Sequence, residues 1–78
     1  MYYVYILKLV NKTFYTGVTK DLKRRLIDHR GGNTYHTKKF KPLELVYYSA
    51  FISKIKALAF EKYLKSGSGI AFRNKRLV

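Results

Sequence analysis

Cysteine is absent from this 78-residue chain, so neither a disulfide nor a thiolate zinc site is available to it. No apolar run approaches the roughly 20 residues that span a bilayer. No basic-then-apolar leader opens the chain, because Met1 leads directly into a strand-like run. A soluble, cytoplasmic protein is expected. Carboxylates are scarce: four Asp+Glu stand against 17 Lys+Arg, giving a net charge of +13 and a pI near 10.2. A field of that size favours a polyanion, and nucleic acid is the common one. A membrane surface is disfavoured, since no helix is basic on one face and bulky-apolar on the other.

What is plentiful is apolar and aromatic. Hydrophobic residues make up 47% of the chain, including eight Tyr and five Phe. That suffices for a compact core in one domain, 1–78, although a chain this short buries only about 60% of its unfolded surface. Tyr2 to Leu9 alternates with Tyr3, Tyr5 and Leu7 on one face and Val4 and Ile6 on the other. Both faces are apolar, which predicts a central strand covered on each side. A short turn at Val10–Thr13 returns the chain as a second, antiparallel strand, Phe14 to Val18.

Tyr15 to His29 is the stretch that carries chemistry. The chain passes tightly at Gly17, and a helix over Lys20–Arg30 is expected to open with Thr19 as N-cap and Asp21 in its first turn. Leu22 and Leu26 form its apolar stripe, and Arg25 and His29, also four apart, lie on the flank. Gly31-Gly32 stops it. A strand tyrosine, an arginine and a histidine thus converge on one space, with Tyr5 brought alongside Tyr15 by the strand pair. For both tyrosines, packing with the hydroxyl at the rim is an equal alternative, and for His29 a helix-flank hydrogen bond is a lesser one.

Asn33 to Lys41 is a polar loop carrying Tyr35, His36, Lys38 and Lys39, suited to phosphate contact or to plain solvation. Leu43 to Ala50 reads as a third strand and Ile52 to Lys65 as a helix. Its apolar residues fall into two groups, Ile52, Ile55, Ala59 and Tyr63, then Ala57, Phe60 and Leu64. Ser66-Gly67-Ser68-Gly69 ends that helix, a C-cap before a phosphate cradle. A short basic helical tail with Arg73, Lys75 and Arg76 follows. Lys20, Lys38, Lys39, Arg73 and Lys75 are the candidate nucleic-acid contacts. Of the four carboxylates, Asp21 belongs to the helix start, Asp28 and Asp21 can pair with Arg25, and Glu44 enters a strand. Glu61 remains, on a largely apolar surface where an unpaired carboxylate is costly. Pairing with Lys65, four residues on, is the simple account of it.

Tyr3-Val4-Tyr5, Tyr15-Thr16-Gly17, Leu22, Arg25-Leu26, His29 and Glu61, in that order, resemble the GIY-YIG endonuclease superfamily over nearly the whole chain. The resemblance is to its small stand-alone bacterial members, related to the excinuclease nuclease domain and to phage homing endonucleases. Tyr3 stands for the first glycine, Thr16 for the middle isoleucine, and Val18 where the excinuclease domain carries a lysine. The resemblance implies an α/β sandwich, a three-stranded antiparallel sheet flanked by helices in the order β-β-α-β-α-α. It also implies hydrolysis of DNA phosphodiesters, branched or damaged DNA in repair or recombination among the substrates, with Mg²⁺ or Mn²⁺ and no small-molecule cofactor. Glu61 would bind the metal, Arg25 would stabilise the transition state, and Tyr5, supported by Tyr15, would be the general base. His29 would orient water or substrate, and Asn74 stands near the place of a family asparagine. A phenol titrates near 10, so the base role depends on a cationic surround. A basic nucleic-acid-binding module without activity, or a ribonucleoprotein component, is the competing class.

Overall fold

In the computed structural model, which describes residues 1–31 and 43–78, the central element is the first strand. β1 (Tyr2–Lys8) lies between β2 (Phe14–Thr19) and β3 (Glu44–Phe51), antiparallel to both. Its two-faced apolar pattern has the expected consequence. Val4 and Ile6 join Ala57 and Leu64 in one core, while Tyr5, Leu7 and Leu9 form a second with Leu22 and Leu26. Val4, Ile6 and Leu7 are completely buried. The register to β3 slips between Ile6 and Leu7, so that Ile6 faces Tyr47 and Leu7 faces Leu45. The extra residue puts Val46 and Tyr47 against the same core, as a bulge does. In the β1–β2 turn Lys12 takes a φ of 68°.

α1 (Leu22–Arg30) covers the second core, and α2 (Lys54–Leu64) covers the first. α3 (Gly67–Phe72) follows, continued by a wide π-helical turn over Arg73–Leu77, whose Leu77 packs on the α2 side of the sheet. This is the expected β-β-α-β-α-α sandwich.

Two local expectations are corrected and a third is extended. The N-cap of α1 is Asp21, not Thr19: the Asp21 carboxylate accepts from the Arg24 amide at 3.1 Å, and Thr19 ends β2 with its hydroxyl accepting from the Asp21 amide at 3.1 Å. Asp is the stronger cap of the two, and the helix accordingly starts at Leu22 rather than Lys20. The Ile52 group of α2 does not pack on the sheet: Ser53 caps the helix, leaving Ile52 outside it and 87% exposed, and Ile55 is 80% exposed. At about 100° per residue, seating Ala57, Phe60 and Leu64 on the sheet turns Ile55, Ala59 and Tyr63 outward. Ser66–Gly69 closes α2 as expected, the Ser66 hydroxyl donating to the Tyr63 carbonyl at 2.6 Å, and it also opens a further helix. The Ser66 hydroxyl accepts from the Gly69 amide at 3.1 Å as N-cap of α3, and a Cβ on Gly69 would lie 1.7 Å from the Tyr63 carbonyl oxygen. Glycine there lets α3 start against the last turn of α2.

Candidate active site

Tyr5 projects from β1 toward α1, directly across from Gly17 on β2. That pairing explains the glycine. A Cβ on Gly17 would stand 2.5 Å from the Tyr5 Oη and 2.7 Å from its Cζ, so the phenol lies across bare backbone. The residue is a cradle inside a strand rather than the tight passage expected of it. Tyr15 shares this face of β2, and its ring centroid lies 6.4 Å from that of Tyr5.

α1 adds the third ring. Leu22, Leu26 and His29 recur at i, i+4 and i+7, one face of a helix, so burying the leucines on the sheet carries His29 inward. His29 is completely buried, its Nε2 is 2.9 Å from the Tyr5 Oη, and its ring meets those of Tyr5 and Tyr15 edge-on at 5.7 and 5.2 Å. Edge-to-face pairs of this kind contribute about 0.5–1.5 kcal/mol each. The three sequence-selected rings therefore form one cluster.

Arg25 is exposed on the same helix and its positive charge acts on both Tyr5 and His29. Neither aspartate of this segment is seen paired with it. Asp21 caps the helix, and Asp28 pairs with Arg24 at 3.5 Å. Burial pushes the His29 pKa below its usual 6.5, with Arg25 adding to the effect and Asp28 opposing it, so the ring is neutral at pH 7. For Tyr5 the expected lowering by a cationic surround is corrected. Burial raises its pKa, Tyr15 and Glu61 add to the rise, and Arg25 only partly offsets it. Tyr5 is 1% exposed and stays a neutral phenol, whereas Tyr15 is half-buried.

Glu61 lies close enough for its charge to be felt at Tyr5, yet its Oε2 accepts from the Lys65 Nζ at 2.7 Å. The i,i+4 pair expected on simple grounds is thus present. Among the described residues no three His, Cys, Asp or Glu side chains gather into a metal cage. A single carboxylate with 19% of its side chain exposed suits a cation that retains several waters and takes its other ligands from substrate phosphate. Mg²⁺ is such an ion.

Of the remaining basic candidates, Arg73 lines a cleft together with Tyr15 and Lys65. Lys20 sits 5.4 Å over the Tyr2 ring, Arg73 sits 4.6 Å over the Phe14 ring, and Lys75 is exposed in the last turn. Asn74 accepts from the Arg73 Nε at 3.0 Å. Lys38 and Lys39, with Tyr35, His36 and Pro42, lie outside the described residues. Two features were missed in the sequence. Gly17 as a cradle needed the Tyr5 register to be seen. The Phe14–Arg73 contact joins opposite ends of the chain and leaves no local signal.

A family profile described as the GIY-YIG catalytic domain matches residues 1–74. The chain belongs to the GIY-YIG family. UPF0213 protein SpyM3_1077 of Streptococcus pyogenes serotype M3 is 44% identical over 64 residues, spanning 81% of this chain and 70% of that protein. UPF0213 protein MGAS10270_Spy1222 of serotype M2 is 42% identical over the same span. The solution NMR structure of UPF0213 protein BH0048 from Bacillus halodurans superposes with a TM-score of 0.62 at 33% identity, covering 99% of this chain and 87% of that one. Membership places this GIY-YIG chain in a nuclease family, and the Tyr5–Tyr15–His29 cluster lies at its two signature tripeptides.

Proposed function

We propose that this chain, as a single catalytic domain over 1–78, is a divalent-metal-dependent endonuclease that hydrolyses phosphodiester bonds in DNA, acting in the cytoplasm in repair or recombination. The observation that carries the reading is the convergence of Tyr5, Tyr15 and His29 from three elements, with the exposed Arg25 near enough for its charge to act on Tyr5 and His29. Tyr15, the more accessible phenol, orients the water that attacks phosphorus. Tyr5 and His29 act behind it, holding its ring in place through their own bond at 2.9 Å. Arg25 offers a forked, permanently charged donor to a non-bridging phosphate oxygen, which gains negative charge as the ester bond breaks. When bound at Glu61, Mg²⁺ or Mn²⁺ supplies Lewis-acid stabilisation of the phosphate and of the leaving oxygen. The net charge of +13 brings the polyanion to this surface.

The Lys65–Glu61 bond at 2.7 Å favours a second reading, a basic nucleic-acid-binding module in which Glu61 is structural. Branched, nicked and linear DNA incubated with the protein, with and without Mg²⁺ or Mn²⁺, decides between them. Metal-dependent cutting is expected, with Tyr15→Phe losing about 10²-fold in rate, the cost of misplacing the attacking water. Tyr5→Phe should instead melt earlier, since it strips the buried His29 Nε2 of this bond at a cost of about 1–3 kcal/mol. Binding without cleavage under every condition would leave only the second reading.

A further inference from the structure

α2 is apolar on two faces, and the sheet uses only one of them. Ala57, Phe60 and Leu64 go to the core. On the outer face Ile55 and Ala59 are exposed and Tyr63 is 42% exposed. Ile52, just ahead of the Ser53 cap, is almost fully exposed as well, and the Phe72 ring extends the patch, 6.1 Å from that of Tyr63. Single exposed apolar side chains need no explanation. A helix lying on a core, however, ordinarily turns charged and polar groups to solvent, and here apolar groups recur on the outside at helical spacing.

The geometry of this face selects its partner. At about 100° per residue, Ile55, Ala59 and Tyr63 fall within about 80° of one another. That is narrower than the stripe that seats a helix on a core, and close to the seam along which one helix meets another. Lys56 lies about 20° outside one border of the seam and Lys62 about 20° outside the other, both exposed. Charges in such flanking positions choose the partner in paired helices. The one carboxylate of α2, Glu61, is bonded to Lys65 and answers neither lysine. A second copy would set lysine against lysine in either orientation, on top of a net charge of +13 on each chain. A bilayer also fits poorly, because an interfacial helix buries a broad face of bulky side chains, whereas Ala59 stands in the middle of this one.

We infer that the outer face of α2 docks an amphipathic helix of another protein, apolar along its seam and acidic on both flanks. Ile55 and Tyr63 are the anchors, Ala59 allows close approach, and Lys56 and Lys62 select the partner's charge. The seam rises only about 12 Å from Ile55 to Tyr63, so the complex belongs with small, transient interfaces. Docking there is independent of the nuclease reading. The ring cluster lies on the α1 side of the sheet and stays uncovered.

The test is fluorescence anisotropy of the full chain with three labelled designed peptides of equal length. One carries a leucine seam flanked by glutamates, one the same seam flanked by lysines, and one the acidic composition scrambled so that no seam forms. Micromolar binding of the acidic seam peptide is expected, with the other two weaker by about tenfold or more. Ile55→Gln, a good helix former at an exposed site, should lower that affinity about tenfold. Lys56→Glu combined with Lys62→Glu should reverse the preference toward the lysine-flanked peptide, and circular dichroism verifies folding. No binding of the acidic seam peptide, equal binding of the scramble, or unchanged affinity in Ile55→Gln overturns the inference. A parent dimer in sedimentation equilibrium that Ile55→Gln dissolves would give the face to a second copy instead. Binding to phosphatidylserine vesicles that the same variant abolishes would give it to a bilayer, and either result overturns the inference too.

Discussion

Gly17→Ala isolates the geometry of the ring cluster in one methyl group. The added Cβ would stand 2.5 Å from the Tyr5 Oη and 2.7 Å from Cζ. Ordinary carbon contacts lie at about 3.5–4.0 Å, so the phenol must retreat by about 1 Å. It has little room to do so, being 1% exposed and held to His29 at 2.9 Å. Overpacking of this kind costs about 1–3 kcal/mol, which for a domain of this size lowers Tm by about 4–8 °C per kcal/mol. Strand propensity acting alone has the opposite sign, because alanine in a strand interior is favoured over glycine by about 0.5–1 kcal/mol. The measurement therefore separates the two by direction. A displacement of about 1 Å at a catalytic group also costs on the order of 10²-fold in rate, so cleavage should fall further than the stability loss alone explains. Thermal melts and single-turnover cleavage of the parent and variant are the assays. An alanine variant that melts at or above the parental temperature and cuts normally would refute the cradle.

Arg24 and Arg25 should separate in kinetics: Arg25→Ala should lose about 10²–10³-fold in rate, and Arg24→Ala, which breaks only an exposed pair with Asp28, should change little beyond apparent KM. Equal losses would mean that the catalytic helix face is misassigned. Glu61→Gln should abolish cleavage while DNA binding in a filter or anisotropy assay stays within a few-fold; a parental cutting rate would make Glu61 purely the partner of Lys65. His29 has a native pKa below 6.5, so the unfolded chain takes up the proton first. Its contribution to stability is full above about pH 6.5 and is lost as pH falls from there through the lowered native value. Melts between pH 8 and 5 should show that decline in the parent and a flatter profile in His29→Gln; parallel profiles would place the acid sensitivity elsewhere.

The sheet order was legible because β1 is apolar on both faces, a pattern only a covered central strand accommodates. The Leu22–Leu26–His29 spacing likewise carried enough to aim His29 at the strands. Local chemistry misled where two neighbours compete for one job. Thr19 and Asp21 are both good caps, and only the reach of the Asp21 carboxylate to the Arg24 amide chooses between them. The α2 helix offered two apolar groups, and helical periodicity does not say which one the sheet will take. The choice fell to Ala57 and Leu64, which pack with Val4 and Ile6, and it left Ile52 and Ile55 in solvent. Gly67 and Gly69 were legible as a helix stop, and α2 does end before them, but the close packing on the Tyr63 carbonyl that demands Gly69 was not.

The proposed division of labour between the two tyrosines turns on burial, which the tripeptides do not encode. Tyr5 and Tyr15 each stand in one of the two signatures, and charge alone favours neither as the phenol that meets substrate. In the fold, Tyr5 belongs to the central strand, so it is covered from both sides and its hydroxyl is engaged with His29. Tyr15 belongs to the edge strand, so one side of it opens on the cleft with Lys65 and Arg73. Burial raises the Tyr5 pKa and fixes it as a neutral phenol, a poor proton acceptor but a firm support for its neighbour. The position of a strand in the sheet thus sets the environment of its tyrosine, and on the proposed nuclease reading the inner residue orients while the outer one meets phosphate.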